Sequence, residues 1–279
     1  MSVKGLLNVA RTFLFLALET FVRPRWAYYR TRAFYYRYYK NRFHKNRVAE
    51  YQSNIEAIDA AIALITNSTA EEVAEFGRSE ILEKMRVHEE WVVAISDEDS
   101  DGDNEGPIEF FYGPSPQLMR AVHIVCRLLK PEVVIETGVA KGFTSAAMLD
   151  ALERNGMGEL YSIEMPSLYI GYTRQVGEKI PQSLRTRWHL ELGPSAIVLP
   201  RLLKKLGSVD VFLYDSASSY DNQLGDLCTI LASMRPGGVL ISNLLITDAF
   251  IEATESFSCK WIAVEQTKPT PIGLIAKLD

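Results

Sequence analysis

Between residues 110 and 279, short apolar runs alternate with helix-patterned segments almost without a break. "SPQLMRAVHIVCRLL" has helical spacing and "EVVIETG" reads as a strand, followed by the helix "FTSAAMLDALERN" and the strand "GELYSIEMP". The order continues through the strand "RWHLELG", the helix "SAIVLPRLLKKLG", the strand "VDVFLYDS", the helix "YDNQLGDLCTILASM" and the strand "GGVLISNL". After a helix near 247–257, "KWIAVEQ" and "PIGLIAKL" form a closing pair of strands around "TKPT". Apolar strands separated by helices predict an α/β fold, a doubly wound and mainly parallel sheet of seven strands with both faces covered. In such sheets ligands sit beyond the carboxyl ends of the strands, where strand order reverses.

The remainder of the chain divides by composition. Residues 1–50 carry 11 Lys/Arg against Glu19 and Glu50, a balance of +9, so a chain at −5 overall leaves −14 on residues 51–279. The same 50 residues hold 12 of the 29 aromatics, most of them in "RPRWAYYRTRAFYYRYYKNRFHKNR". Residues 1–47 are therefore a separate basic, aromatic and amphipathic segment. Lys4, Asn8, Arg11 and Glu19 put a polar stripe on its opening helix, and the apolar run between Arg11 and Glu19 is far shorter than the roughly 20 residues a membrane span needs. Three readings of this segment stay open: packing on the protein or on a second copy, contact with an anionic membrane surface, and RNA binding, the least favoured. Residues 48–95 read as a helical adaptor, "VAEYQSNIEAIDAAIALI" and "AEEVAEFGRSEILEKMRVHEEW", with cap chemistry at Asn67, Ser68 and Thr69.

Residues 96–109 form an acidic linker. Asp97, Asp99, Asp101 and Gly102 imitate the start of a calcium loop, but Ile108 stands where its closing glutamate belongs. Cys126, Cys228 and Cys259 are too scattered for a disulfide framework, which suits a reducing, cytoplasmic setting. With 47% hydrophobic and 23% charged residues, the composition is that of a globular protein.

The densest functional signal is "VVIETGVAKGFTS", where the first strand of the regular region ends and a helix begins. Glycines at 138 and 142 let backbone approach a ligand, and the helix amides favour a carboxylate or phosphate. Glu136 would repel a pyrophosphate and suits an ammonium or sulfonium. Glu164, ending the second strand, is placed to accept hydrogen bonds from two ribose hydroxyls. A dinucleotide site calls for G-x-G-x-x-G, and Ala140 occupies its middle glycine position.

In order and spacing, these motifs over residues 110–279 resemble class I S-adenosylmethionine-dependent methyltransferases, closest to small-molecule O-methyltransferases of the catechol and caffeoyl-CoA kind and related bacterial enzymes. "IETGVAKGFTS" resembles the glycine loop, "YSIEMP" the ribose motif, "LGPSAIVLPRLLKK" the adenine-side loop, "VFLYDSASSY" the fourth strand, "MRPGGVLISN" the turn into the fifth, and "PIGLIAKL" the closing antiparallel strand. The resemblance implies S-adenosylmethionine as cofactor, with Glu136, Gly138, Ala140 and Gly142 around its methionine part. Thr144 would meet the carboxylate, Glu164 the ribose and Ser195 the adenine side, although Pro194 replaces an acid frequent among relatives. It further implies methyl transfer to the hydroxyl, less readily the amine, of a small molecule or a glycan- or lipid-type acceptor.

Metal-dependent relatives hold magnesium with an aspartate after the fourth strand and an Asp-Asn pair after the fifth. Here Asp215 and Asn243 match, but Ser242 takes the second aspartate's place and Ser218 the place of a lysine or histidine. No metal ligand is assigned, a divalent ion is disfavoured, and Asp215, also a cofactor contact, is the candidate base with Tyr220 beside it. These departures leave an alternative, a catalytically degenerate scaffold recruited to a membrane or protein partner. An NAD-dependent oxidoreductase is opposed by Glu136 and Ala140.

Overall fold

A computed structural model describes residues 20–35, 55–84, 115–165, 176–216, 219–243, 247–266 and 271–279. The opening amphipathic helix at 1–19, the acidic linker with its aspartates, and Ser218 lie outside the described residues.

In the alternating region, α4 (Pro116–Leu129) precedes β1 (Val133–Thr137), α5 (Phe143–Asn155) and β2 (Glu159–Glu164). There follow β3 (Trp188–Leu192), α6 (Ser195–Leu206), β4 (Val209–Tyr214), α7 (Tyr220–Ser233), β5 (Met234–Ser242), α8 (Thr247–Glu255), β6 (Cys259–Val264) and β7 (Ile272–Lys277). The strands form one seven-stranded sheet in the order β3-β2-β1-β4-β5-β7-β6. Pairs among β1 to β5 are parallel, whereas β7 runs antiparallel to both β5 and β6. The doubly wound sheet expected from the sequence is thus present, and strand order reverses between β1 and β4.

Its central strands β1, β4 and β5 are mainly apolar because successive side chains point to opposite faces and both faces are covered there. Val134, Val211, Leu213, Val239 and Ile241 pack on one side with residues of α4 and α5. Ile135, Phe212, Tyr214 and Leu240 pack on the other with Val198, Leu202, Leu227, Ile230 and Phe250. Strand β3 is an edge strand, and its Leu190 and Leu192 remain partly exposed.

The segment read as an adaptor supplies α2 (Ile55–Thr66) and α3 (Ala70–Phe76). Ile58, Ile62, Ile65 and Val73 are buried in the same cluster as α4 and the sheet, so this segment adds its apolar face to the sheet's core. Thr69 caps α3 in a capping box with Glu72, its hydroxyl accepting from the Glu72 N–H at 3.2 Å while Glu72 Oε2 accepts from the Thr69 N–H at 2.8 Å. The sequence pattern suggests one helix running on past this point, but the structure ends α3 at Gly77. The reason is Arg120, which donates to the Gly77 carbonyl at 2.9 Å and pairs with both carboxylate oxygens of Asp59 at 2.6 and 2.7 Å. A Cβ at Gly77 would lie 2.2 Å from that guanidinium.

The N-terminal segment contributes α1 (Pro24–Tyr35). Ala27 is buried, and the Trp26 ring sits over Gly193, 3.3 Å from where a Cβ would stand. One face of this basic, aromatic helix thus packs on the loop between β3 and α6.

Candidate active site

The reversal point between β1 and β4 gathers most of the residues singled out above. Strand β1 carries Glu136 into the core, fully buried, and ends at Thr137. The chain turns with Gly138 at φ +88°, Ala140 at φ +46° and Gly142 at φ +86°. Ala140 holds a left-handed conformation that a glycine would adopt without strain. The Gly138 N–H donates to the Ile163 carbonyl at 2.9 Å. A Cβ on Gly138 would stand 2.2 Å from the Asp215 carbonyl oxygen, so the loop rests directly on the turn after β4.

Helix α5 then starts at Gly142 with no side chain capping it. Thr144 is buried in its first turn. Four amides at a helix N-terminus lack intrahelical partners and carry partial positive charge, which suits a ligand carboxylate.

Glu136 lies beneath this end of the helix. Its Oε1 accepts from Ser145 at 2.6 Å and from Ser162 at 2.5 Å, and Trp188 Nε1 donates to the Ser162 hydroxyl at 2.8 Å. Its Oε2 is buried with no hydrogen-bond partner among the described residues. Burial pushes the carboxyl up to about 7; the two serine hydroxyls oppose this, and Asp215 and Glu164 add to it. An acid buried with one oxygen unsatisfied is costly unless a cation or donor arrives.

Glu164 ends β2, where the ribose motif places it, and its Oε2 accepts from the Val139 and Ala140 N–H groups at 2.6 and 2.9 Å. Its carboxylate thereby braces the glycine loop across the strand gap. Ser195 begins α6 and donates to Asp226 of α7. Asp226 is buried, and desolvation raises it to about 7 despite the bond from Ser195. The sequence reading passed over Asp226 because nothing near it in the chain marks it as part of a site.

Asp215 follows β4, and its Oδ1 accepts from Asn243 Nδ2 at 2.7 Å. Asn243 Oδ1 in turn accepts from Gln266 Nε2 at 2.7 Å, and Gln266 Oε1 accepts from the Ser115 hydroxyl. Ser242 is fully buried at the end of β5, its hydroxyl 3.3 Å from the Asn243 carbonyl. Magnesium is the ion to test at this position, because the metal-dependent enzymes that the sequence resembles hold it there. Hard cations bind oxygen, yet Asn243 presents its nitrogen to Asp215 and spends its oxygen on Gln266. No group of three His, Cys, Asp or Glu able to hold a metal occurs among the described residues. The donor set does not fit a hard divalent ion.

Tyr220 begins α7 and donates its hydroxyl to Glu252 of α8. That bond is the main cause of a phenol raised to about 12. Tyr220 is held as a neutral phenol, which makes Asp215 the stronger candidate for accepting a proton.

Comparison with known proteins accords with this geometry. Residues 135–243 match the family model of a methyltransferase domain, a span running from inside β1 to the end of the β5 turn. Over this span the sheet region is similar to a methyltransferase domain. No curated protein matches the sequence. Among solved structures, the S-adenosylhomocysteine-bound Podospora anserina methyltransferase PaMTH1 aligns at 15% identity over 83% of this chain and 100% of its own, with a TM-score of 0.49. The O-methyltransferase TomG of Streptomyces achromogenes, in complex with S-adenosylmethionine, aligns at 17% identity over 72% of this chain and 91% of its own, with a TM-score of 0.47. An O-methyltransferase from Bacillus cereus with S-adenosylhomocysteine aligns at 13% identity over 81% and 100%, with a TM-score of 0.49.

Proposed function

We propose that this protein transfers the methyl group of S-adenosylmethionine to a hydroxyl of a small-molecule acceptor without a metal ion. The observation that carries the reading is the unsatisfied Glu136 Oε2 buried below the uncapped start of α5. Together they suit an amino-acid zwitterion, ammonium on the acid and carboxylate at the helix amides. The bound cofactor supplies an electrophilic methyl on sulfonium. Glu136 holds its ammonium, the first turn of α5 with Thr144 its carboxylate, and Gly138, Ala140 and Gly142 let the backbone approach. Glu164 turns one oxygen to the ribose while the loop amides keep the other. Ser195, fixed by Asp226, borders the adenine. That methyl carbon would be open to attack by the acceptor oxygen, with the sulfide, keeping the carbon–sulfur electron pair, as its leaving group. The hydroxyl proton passes to Asp215 or to solvent, and Tyr220 walls the acceptor side as a phenol. Alignment of the reacting atoms supplies most of the rate.

Calorimetric titration with S-adenosylmethionine and S-adenosylhomocysteine, beside NAD, tests this reading. Micromolar binding of the first two is expected, weakened at least about tenfold in Glu164→Ala, since each charge-assisted hydrogen bond contributes about 1.5–3 kcal/mol. A panel of phenolic and aliphatic alcohols then identifies the acceptor. Binding of NAD in preference to both sulfur compounds would overturn the assignment.

For the N-terminal segment the reading is two-sided. Trp26 and Ala27 pack inward, while Phe21, Val22 and Tyr28 are exposed beside Arg23 and Arg25. That outer surface suits anionic lipid or a second copy of the chain. No helix among the described residues is long and apolar enough to cross a membrane.

A further inference from the structure

Asp215 lies at one end of a chain of buried groups that reaches the N-terminus of α4. The Leu118 N–H donates to the Ser115 hydroxyl at 3.0 Å, capping α4. That hydroxyl donates its own hydrogen to Gln266 Oε1; Gln266 Nε2 donates to Asn243 Oδ1 at 2.7 Å; and Asn243 Nδ2 donates to Asp215 Oδ1 at 2.7 Å. Ser115, Gln266 and Asn243 are all buried. Every bond runs in the same direction, from a helix N-terminus towards the carboxylate. A primary amide has one donor end and one acceptor end, so once Ser115 donates to Gln266 the two amide bonds beyond it follow.

We propose that Ser115 and Gln266 are positioning residues for the transfer reaction. Through two amides they hold the nitrogen of Asn243 against Asp215, in the place where metal-dependent enzymes of this architecture set a cation. The inference rests on the methyltransferase reading above and deepens it. With the amide nitrogen towards it, Asp215 keeps a fixed orientation and a compensated negative charge. With the amide reversed, two oxygens would face each other and Asp215 would swing away.

The isosteric pair Ser115→Asp and Ser115→Asn separates this role from simple capping. Both residues are good N-caps, and both introduce the same volume. Asparagine can accept from Leu118 and still donate to Gln266, whereas an aspartate can only accept. Aspartate therefore forces Gln266 to present its nitrogen, which reverses Asn243 in turn. The expected result is a kcat about 10- to 100-fold lower in Ser115→Asp than in Ser115→Asn, with S-adenosylmethionine affinity changed less than about threefold, because misplacement from a distance costs up to about 100-fold in rate. In protein labelled with ¹⁵N at Asn and Gln, the Asn243 side-chain amide signals should shift in Ser115→Asp and hold in Ser115→Asn.

Should Ser115→Asp fail to fold, Gln266→Met decides, since it keeps the cap and removes the relay; it is expected to lower kcat by a similar factor. Equal turnover and unchanged Asn243 signals in the aspartate and asparagine variants, or wild-type turnover in Gln266→Met, would overturn the proposal. Absence of cofactor binding in the wild type would instead sink the methyltransferase reading, and the Asn243 signals would still test the relay.

Discussion

Glutamine in place of Glu136 should leave the fold intact yet weaken S-adenosylmethionine binding by about 100-fold or more. The amide oxygen can accept from Ser145 and Ser162 as Oε1 does, so the packing is undisturbed. The change falls on the other atom: an N–H₂ replaces the buried, unsatisfied Oε2 and meets the ligand ammonium donor to donor. Removing one partner of a buried ion pair costs about 3–5 kcal/mol, and 100-fold corresponds to about 2.7 kcal/mol.

The same residue sets a pH dependence. Because burial raises Glu136 from its ordinary 4.5 to about 7, the folded protein retains a proton that the unfolded chain releases. Its contribution to stability is complete below about pH 4.5 and is lost as pH rises through about 7, a difference of about 3 kcal/mol. Cation binding works the other way, so cofactor affinity should climb between about pH 6 and 7.5. Thermal unfolding across this range, with and without S-adenosylmethionine, checks both slopes, and Glu136→Gln should flatten them. A glutamine variant that binds cofactor within about threefold of wild type would remove Glu136 from the site.

Gly138→Ala is the second large effect. The new methyl would stand 2.2 Å from the Asp215 carbonyl oxygen and 2.7 Å from its carbon, both backbone atoms, at a residue with φ +88°. Neither neighbour can rotate aside, so the glycine loop must lift from the turn after β4. Left-handed strain of about 1–2 kcal/mol and overpacking of about 1–3 kcal/mol add to a fall in Tm of about 5–15 °C, and cofactor binding should be lost. Gly156→Ala is the control: its φ is +69° but nothing lies within 4 Å, so only the strain remains. Equal melting temperatures for the two variants would show that the loop does not rest on Asp215.

How much of this was legible in the sequence depends on where each partner comes from. The path of β1 into the glycine loop could be read because its apolar run, its glycines and the following helix are contiguous. Glu136 and Glu164 were legible for the same reason: each ends a recognisable strand. Their surroundings were not. Ser162 reaches Glu136 from 26 residues away on another strand, and nothing in "LYSIE" distinguishes it from a filler serine. Gln266 joins Asn243 across 23 residues and Ser115 across 151, an association that exists only once the chain leaving β6 has reached the N-cap of α4. The break at Gly77 was hidden because helical periodicity on either side of it concealed the approach of Arg120. Tyr220 is near Asp215 in sequence, yet its hydroxyl is committed to α8.

Trp188 gives the buried acid an optical reporter. Its indole nitrogen bonds to Ser162, which bonds to Glu136, and the Arg185 guanidinium lies 5.2 Å from its ring centre. Charge appearing on the carboxylate is therefore felt two hydrogen bonds away by a fluorophore already held between a cation and an acid. Emission from this one ring would register proton loss and cofactor entry in real time, with no acceptor substrate in hand.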